Sequence, residues 1–205
     1  MSDFTGQKST VFVVDDDQAI RHAMELLMRS VGLEYEIFHS GDDFLSKYSI
    51  DRPGCLVLDI RMPGLGGLEL QQKLIEMESS LPIIFITGHG DVPMAVEAMQ
   101  KGAVDFIQKP FRDQELLDRI REALKTDEER RSAREHHDEV TSKLRKLTRR
   151  EREVLDLVVT GKPNKIIAYE LGVSQRTVEI HRARVMEKME AKSLADLVRM
   201  HMDEE

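Results

Sequence analysis

Short apolar runs alternate with longer segments of helical spacing in the first half of the sequence, and this alternation restricts the folds available to it. Five runs are predicted to be β-strands, at residues 10–14, 35–38, 55–58, 82–86 and 104–108. Between them lie segments such as 19–31 and 67–77, whose apolar residues recur at helical spacing. Strands that alternate with helices run parallel, and the helices cover both faces of the sheet. The sequence therefore predicts a doubly wound α/β domain with a five-stranded parallel sheet.

The second half of the sequence has a helical pattern. Residues 111–160 contain neither glycine nor proline, and residues 113–146 are rich in residues that helices tolerate, which predicts one long helix. Because apolar residues become scarce between 126 and 141, we expect the middle of this helix to be solvated. Shorter helices are predicted at residues 148–160, 164–171, 175–189 and 193–202.

The second and third of these shorter helices are joined by the tetrapeptide LGVS. Gly172 suits the conformation that ends a helix, and Ser174 suits the cap of the next one. A short link of this kind is typical of a helix-turn-helix motif. We therefore predict an α/β domain at residues 1–124, a helical linker at 125–146 and a small all-α helix-turn-helix domain at 147–205.

Charge is distributed unevenly along the chain, whose formal net charge is −8. Residues 1–112 carry 10 basic and 17 acidic side chains, whereas residues 147–192 carry 10 basic and 7 acidic ones, so the later part suits a polyanionic partner. No run approaches the roughly 18 apolar residues of a membrane span, and the N-terminus lacks the pattern of a secretion signal. We therefore expect a cytoplasmic protein without a membrane partner. Cys55, the single cysteine, is expected to be a buried core residue.

Polar side chains with reactive groups follow the predicted strands. Asp15 and Asp16 come after the first strand, Asp59 after the third, Thr87 after the fourth and Lys109 after the fifth. Because the carboxyl ends of parallel strands meet at the edge that holds the ligand crevice, these positions should converge. Three carboxylates brought together repel one another unless a cation neutralises them, and oxygen ligands without histidine or cysteine favour magnesium.

An ionised carboxylate in such a pocket can act as a nucleophile. Attack of Asp59 on a phosphoryl group would give an aspartyl phosphate, while Lys109 and the metal ion offset the charge on the transferring oxygens. Thr87 can donate a hydrogen bond to the new phosphate. Asp17, by contrast, is expected to cap the helix that follows it.

The segments VVDDD, LDIRMPG, ITGHGD and DFIQKPF resemble the signatures of receiver domains. Over essentially its whole length the chain resembles two-component response regulators of the FixJ subfamily. This resemblance implies a CheY-like sheet with strand order 2-1-3-4-5 and a cis bond before Pro110. The site residues that it implies are the phosphoacceptor Asp59, the magnesium ligands Asp15, Asp16, Asp59 and the backbone carbonyl of Arg61, the phosphate contacts Thr87 and Lys109, and the switch aromatic Phe106.

The segment from Leu147 onward resembles the helix-turn-helix output domains of FixJ, NarL and LuxR regulators. In its second motif helix, Val178, His181, Val185 and Met189 share one face and should pack inward. The opposite face suits the major groove of DNA, although such a face is also common on helices that are merely solvated. This face carries Arg176, Glu179, Ile180, Ala183 and Arg184, of which all but Ala183 are candidate base contacts, and the candidate phosphate contacts are Lys165, Thr177, Arg182 and Lys188.

These expectations describe a phosphorylation-dependent transcriptional regulator and not an enzyme. Its expected partners are a sensor histidine kinase, double-stranded promoter DNA and a second copy of the chain when phosphorylated. The resemblance adds RNA polymerase and favours activation of transcription. Two alternatives are a magnesium-dependent phosphatase with an aspartyl nucleophile and a phosphorylation-gated module that binds protein or RNA. The phosphatase is disfavoured because such enzymes commonly have a second aspartate where this chain has Arg61.

Overall fold

The computed structural model describes residues 8–88 and 92–202. The chain folds into two compact units, Met1–Arg131 and Ser132–Glu205. The first unit thus extends beyond residue 124, the predicted end of the α/β domain. Among the residues that the structure describes, no helix has both the length and the apolar character needed to cross a membrane.

In the first unit, strands and helices alternate along the chain. The strands are β1 (Thr10–Val14), β2 (Glu34–Phe38), β3 (Gly54–Asp59), β4 (Ile83–Thr87) and β5 (Asp105–Gln108). The helices are α1 (Gln18–Val31), α2 (Gly41–Lys47), α3 (Gly67–Glu76), α4 (Val92–Gln100) and the first part of α5 (Asp113–Arg145). Each pair of neighbouring strands is parallel, in the order β2-β1-β3-β4-β5. This confirms the predicted doubly wound sheet and its strand order.

Apolar layers cover both faces of this sheet. One layer contains an aromatic cluster of Phe12, Phe38, Phe44 and Tyr48, whose neighbouring ring centroids lie 4.9 to 6.5 Å apart. The other layer packs the sheet against α1 and α5, and it includes the fully buried Cys55, as predicted. Because both faces are covered, the ends of the central strands are held in fixed positions.

Local interactions fix the turns at the carboxyl edge of the sheet. Asp17 caps α1 by accepting a hydrogen bond from the amide of Ala19 at 2.8 Å, which confirms its predicted role. At the start of α3, a Cβ atom on Gly67 would lie 2.4 Å from the carbonyl oxygen of Asp59. Glycine is therefore required for α3 to begin so close to the end of β3. The peptide bond before Pro110 is cis, as the resemblance implies.

Most side chains in the middle of α5 are exposed, as predicted, but Asp127 is buried and Arg131 is half-buried. Asp127 is 0% exposed, and its Oδ2 accepts hydrogen bonds from the Gly54 amide at 2.8 Å and from Nε of Arg131 at 2.9 Å. The Arg131 guanidinium also donates to the carbonyl oxygens of Asp51 at 2.9 Å and Arg52 at 2.6 Å. The prediction of a solvated middle is wrong at these two positions, because their charged side chains bind the backbone just before β3 and at its first residue.

The second unit is helical. It comprises the last part of α5 followed by α6 (Arg149–Val159), α7 (Asn164–Leu171), α8 (Gln175–Met189) and α9 (Leu194–Met202). Gly172 ends α7 in the left-handed conformation, with φ of 64°. Ser174 caps α8 by accepting a hydrogen bond from the amide of Thr177 at 3.0 Å. These contacts confirm the turn predicted from LGVS and place α7 and α8 as the two helices of the motif.

Candidate functional site

An acidic cluster lies at the carboxyl edge of the sheet. Carboxylate oxygens of Asp15, Asp16 and Asp59 lie within 4.8 Å of one another. Asp15 is 1% exposed and Asp59 is 8% exposed, whereas Asp16 is open to solvent. The first two residues follow β1 and the third ends β3, and these strands are neighbours in the sheet. The strand order therefore brings the three carboxylates together.

Lys109 reaches this cluster from the segment after β5. Its Nζ donates hydrogen bonds to Oδ2 of Asp15 at 2.9 Å and to Oδ1 of Asp59 at 3.1 Å. Its backbone amide donates to the carbonyl oxygen of Thr87 at 2.8 Å, and Thr87 itself is buried at the end of β4. The structure therefore places all five side chains predicted from the strand ends at one edge of the sheet.

The pKa values of the pocket show that its negative charge is only partly balanced. Burial raises the pKa of the Asp59 carboxyl to about 6; the nearby Lys109 ammonium opposes this shift, while Asp15 and Asp16 add to it. Burial acts to lower the pKa of Lys109, but its bonds to Asp15 and Asp59 outweigh burial and raise it. One ammonium faces three carboxylates, so the donor set and its charge fit a hard divalent cation.

The resemblance implies two further site residues, one just after β3 and one on β5. Arg61 follows the end of β3, and its side chain is exposed; a role for its carbonyl in metal binding stays a prediction. Phe106 is 42% exposed on β5, an edge strand, and so is not the core residue that its place in a strand would suggest by default. Its switch role also stays a prediction. Residues 89–91 of the segment ITGHGD lie outside the described residues.

The helix α8 has one buried face and one exposed face. Val178, Val185 and Met189 are buried and His181 is half-buried, as the spacing predicts. The opposite face is open to solvent. The five residues that the spacing predicts to point away from the core are exposed on it: Arg176, Glu179, Ile180, Ala183 and Arg184.

The residues predicted to contact phosphate differ in their surroundings. Lys165 is exposed on α7. Thr177 lies at the start of α8, where its hydroxyl is 2.8 Å from that of Ser174. Arg182 donates from Nη1 to Oδ1 of Asn164, the first residue of α7, at 3.1 Å.

Lys188 is bound within its own unit. Its Nζ donates to Oε2 of the buried Glu151 at 2.6 Å and to the carbonyl oxygen of Lys146 at 3.1 Å. Burial acts to raise the pKa of Glu151, but its bonds from Lys188 and Thr148 outweigh burial and lower the pKa to about 2. This ammonium balances a buried carboxylate, so a phosphate contact by Lys188 would compete with its ion pair to Glu151.

Both units match known families. Residues 11–121 match the response regulator receiver domain, and residues 145–201 match the luxR family of bacterial regulatory proteins. The chain belongs to the response regulators with a luxR-family output domain. Such a response regulator is a transcriptional regulator that joins a receiver to a DNA-binding domain.

Relatives of this response regulator cover nearly all of it. Nodulation protein W of Bradyrhizobium diazoefficiens is 51% identical over 193 residues, which are 94% of this chain and 85% of the relative. The transcriptional regulatory protein FixJ of Rhizobium meliloti is 46% identical over 191 residues, covering 93% and 94% of the two chains. The solved structure of the response regulator StyR matches with a TM-score of 0.88 at 47% identity, covering 95% of this chain and 98% of the other. These similarities confirm the resemblance to the FixJ subfamily.

Two ion pairs that involve α8 were not predicted from the sequence. One joins Lys188 to Glu151; the spacing of Thr148 and Glu151 is that of a capping box, which could have placed Glu151 at the start of α6, but no pattern connects it to α8. The other joins Arg176 to Glu179 at 3.3 Å on the exposed face of α8. Their spacing of three residues on a helix is the signal that could have shown this pair.

Proposed function

We propose that this response regulator accepts a phosphoryl group on Asp59 from a sensor histidine kinase and then binds promoter DNA. The observation that carries the proposal is a buried carboxylate with two others within 4.8 Å and an ammonium 3.1 Å away. With a pKa of about 6, Asp59 is ionised at neutral pH and available as a nucleophile.

In the proposed transfer, a carboxylate oxygen of Asp59 attacks the phosphorus of a phosphohistidine. The phosphorus–nitrogen bond breaks, and its electron pair stays on the histidine nitrogen. Lys109 is placed to stabilise charge on the transferring oxygens, because its Nζ lies 3.1 Å from Oδ1 of Asp59. Asp15, Asp16, Asp59 and the carbonyl of Arg61 would hold Mg²⁺, which when bound supplies further neutralisation of phosphoryl charge.

Phosphorylation would change the face formed by α4, β5 and the start of α5. The new phosphate adds charge and acceptor oxygens near Thr87, which donates a hydrogen bond to it in the proposed active state, and Phe106 rotates inward. Val96 and Met99 on α4 are exposed, as is Phe106 on β5, which gives this face apolar surface to bury. A second copy of the chain covers it, and the dimer presents two α8 helices to two half-sites.

The proposed DNA interface is centred on the exposed face of α8. The local surplus of basic residues between 147 and 192 and the match to the luxR family support double-stranded DNA as the ligand. We propose base contacts from Arg176, Glu179, Ile180, Ala183 and Arg184, and phosphate contacts from Lys165, Thr177 and Arg182. The protein would act in the cytoplasm and activate transcription through RNA polymerase.

Electrophoretic mobility shifts on promoter fragments, read at several salt concentrations, test this function. The full chain is treated with acetyl phosphate and magnesium, and compared with Asp59→Asn and with Asp51→Asn, an exposed carboxylate before β3, as the matched control. We expect phosphorylation to tighten DNA binding and promote dimers in the wild type and the control, but not in Asp59→Asn. An equal response of Asp59→Asn would contradict the switch. Multiple turnovers of a small phosphate ester would instead support the phosphatase, and preference for competitor RNA the interaction module.

A further inference from the structure

A large apolar side chain is exposed in the middle of the proposed reading face. Ile180 on α8 is 43% exposed. It lies outside the apolar core of its unit, to which α8 contributes Val178, Val185 and Met189. A single exposed isoleucine is common on protein surfaces, so its position on the helix is what gives it meaning.

The neighbours of Ile180 frame it on both sides. Arg176 and Glu179 lie one turn before it and form an ion pair with each other at 3.3 Å, with 81% and 49% of their side chains exposed. Ala183 and Arg184 lie one turn after it and are exposed. Residues three and four apart line one face of a helix, so Ile180 is at the centre of this row. An ion pair lies on one side of Ile180, and a small alanine with an exposed arginine lies on the other, yet the isoleucine itself stays 43% exposed and can reach a ligand.

The edge of the major groove offers one kind of apolar group to such a side chain, the 5-methyl of thymine. The other groups there are hydrogen-bond donors and acceptors, which an isoleucine would separate from water without replacing the lost bonds. We infer that Ile180 is a specificity-determining residue that selects a thymine in each half-site through contact with its 5-methyl group. This inference rests on the proposed function, in which α8 reads the major groove.

Replacement of thymine by deoxyuridine tests the inference, because deoxyuridine lacks the 5-methyl but keeps the hydrogen-bonding edge. Sites are first selected from random duplex DNA by the phosphorylated full-length chain, and each thymine is then replaced singly. For the wild type we expect one position per half-site at which deoxyuridine weakens binding about fourfold, the change that corresponds to burial of one methyl group. At that position, Ile180→Ala should bind thymine and deoxyuridine equally.

Ile166→Ala is the matched control, since Ile166 is 42% exposed but lies on α7, and it should discriminate as the wild type does. Both residues are exposed, so circular dichroism melting should show that both variants fold. If the wild type binds the selected duplex but no deoxyuridine weakens binding, the inference is overturned while the proposed function stands. Persistent discrimination in Ile180→Ala also overturns it, because another residue then reads the methyl. If no duplex is enriched, the proposed function fails and the inference fails with it.

Discussion

Replacement of Asp59 by asparagine is expected to stabilise the receiver when divalent cations are absent. The pKa of this carboxyl rises from 3.8 in a model compound to about 6 in the folded protein. This shift of about two pKa units corresponds to about 3 kcal/mol. Ionisation of the carboxyl lowers the free energy of unfolding by this amount. Asparagine has the shape of the acid without its charge, but its amide oxygen accepts a weaker hydrogen bond from Lys109 than the carboxylate oxygen does. We therefore expect a net gain of about 2 kcal/mol near neutral pH.

The sign of the pH dependence follows from the direction of this shift. A carboxyl with a raised pKa binds its proton more tightly in the folded state, so the destabilisation is absent below about pH 4 and complete above about pH 7. The advantage of Asp59→Asn over the wild type should therefore be about 1.4 kcal/mol smaller at pH 5 than at pH 7.5. Magnesium should reduce it at pH 7.5, since binding to the three carboxylates stabilises only the wild type strongly.

Scanning calorimetry of the full-length chain in EDTA measures this effect. At pH 7.5, about 2 kcal/mol corresponds to a rise of about 6–10 °C in the melting temperature of a domain of this size. Asp51→Asn, which removes an exposed carboxylate from the same unit, should melt within about 2 °C of the wild type. Equal melting temperatures for Asp59→Asn and the wild type, or an advantage that grows as the pH falls, would refute the reasoning.

Three other measurements address the remaining structure. Arg131→Ala leaves the buried Asp127 without its guanidinium partner and should lower the free energy of unfolding of the receiver in urea by about 2–3 kcal/mol. Arg131→Lys should recover only part of this stability. An unchanged free energy of unfolding in Arg131→Ala would contradict the role of the contact. The pKa of Glu151 is lowered to about 2, so its contribution is complete above the unfolded value of 4.5 and is lost as the pH falls toward 2. In thermal melts followed by circular dichroism, the helix-turn-helix unit of the wild type should therefore lose more stability than that of Glu151→Gln as the pH falls below 5, and parallel curves would contradict the assignment. Cys55 is buried and its thiol pKa is raised, so Ellman's reagent should label it only in urea, and rapid labelling of the folded chain would show that the core is wrongly placed.

The parts of the structure that could be predicted from sequence are those that depend on periodic patterns and local caps. Asp15, Asp59 and Lys109 converge because each comes at the end of a strand in one parallel sheet, and parallel strand ends share an edge. The turn between α7 and α8 was predictable because Gly172 and Ser174 have local conformational preferences that end one helix and begin the next.

The parts that could not be predicted are contacts of charged side chains across large sequence distances. Asp127 lies in a polar stretch that looks solvated, yet it binds the amide of Gly54 at the start of β3. Lys188 has the pattern of a surface lysine on α8, the helix proposed to bind DNA, yet it pairs with Glu151 on α6. A charged residue on a helix has the same spacing whether it faces water, a phosphate or a buried carboxylate, so the pattern alone does not distinguish them.

The identity of the phosphorylated residue tests the central claim most directly. The full-length chain is incubated with acetyl phosphate and magnesium and reduced with borohydride, which converts an aspartyl phosphate to homoserine, and its peptides are analysed by mass spectrometry. The account predicts homoserine at position 59 alone, dependent on magnesium and absent from Asp59→Asn. Modification at another aspartate, or undiminished phosphoryl incorporation by Asp59→Asn, would contradict it.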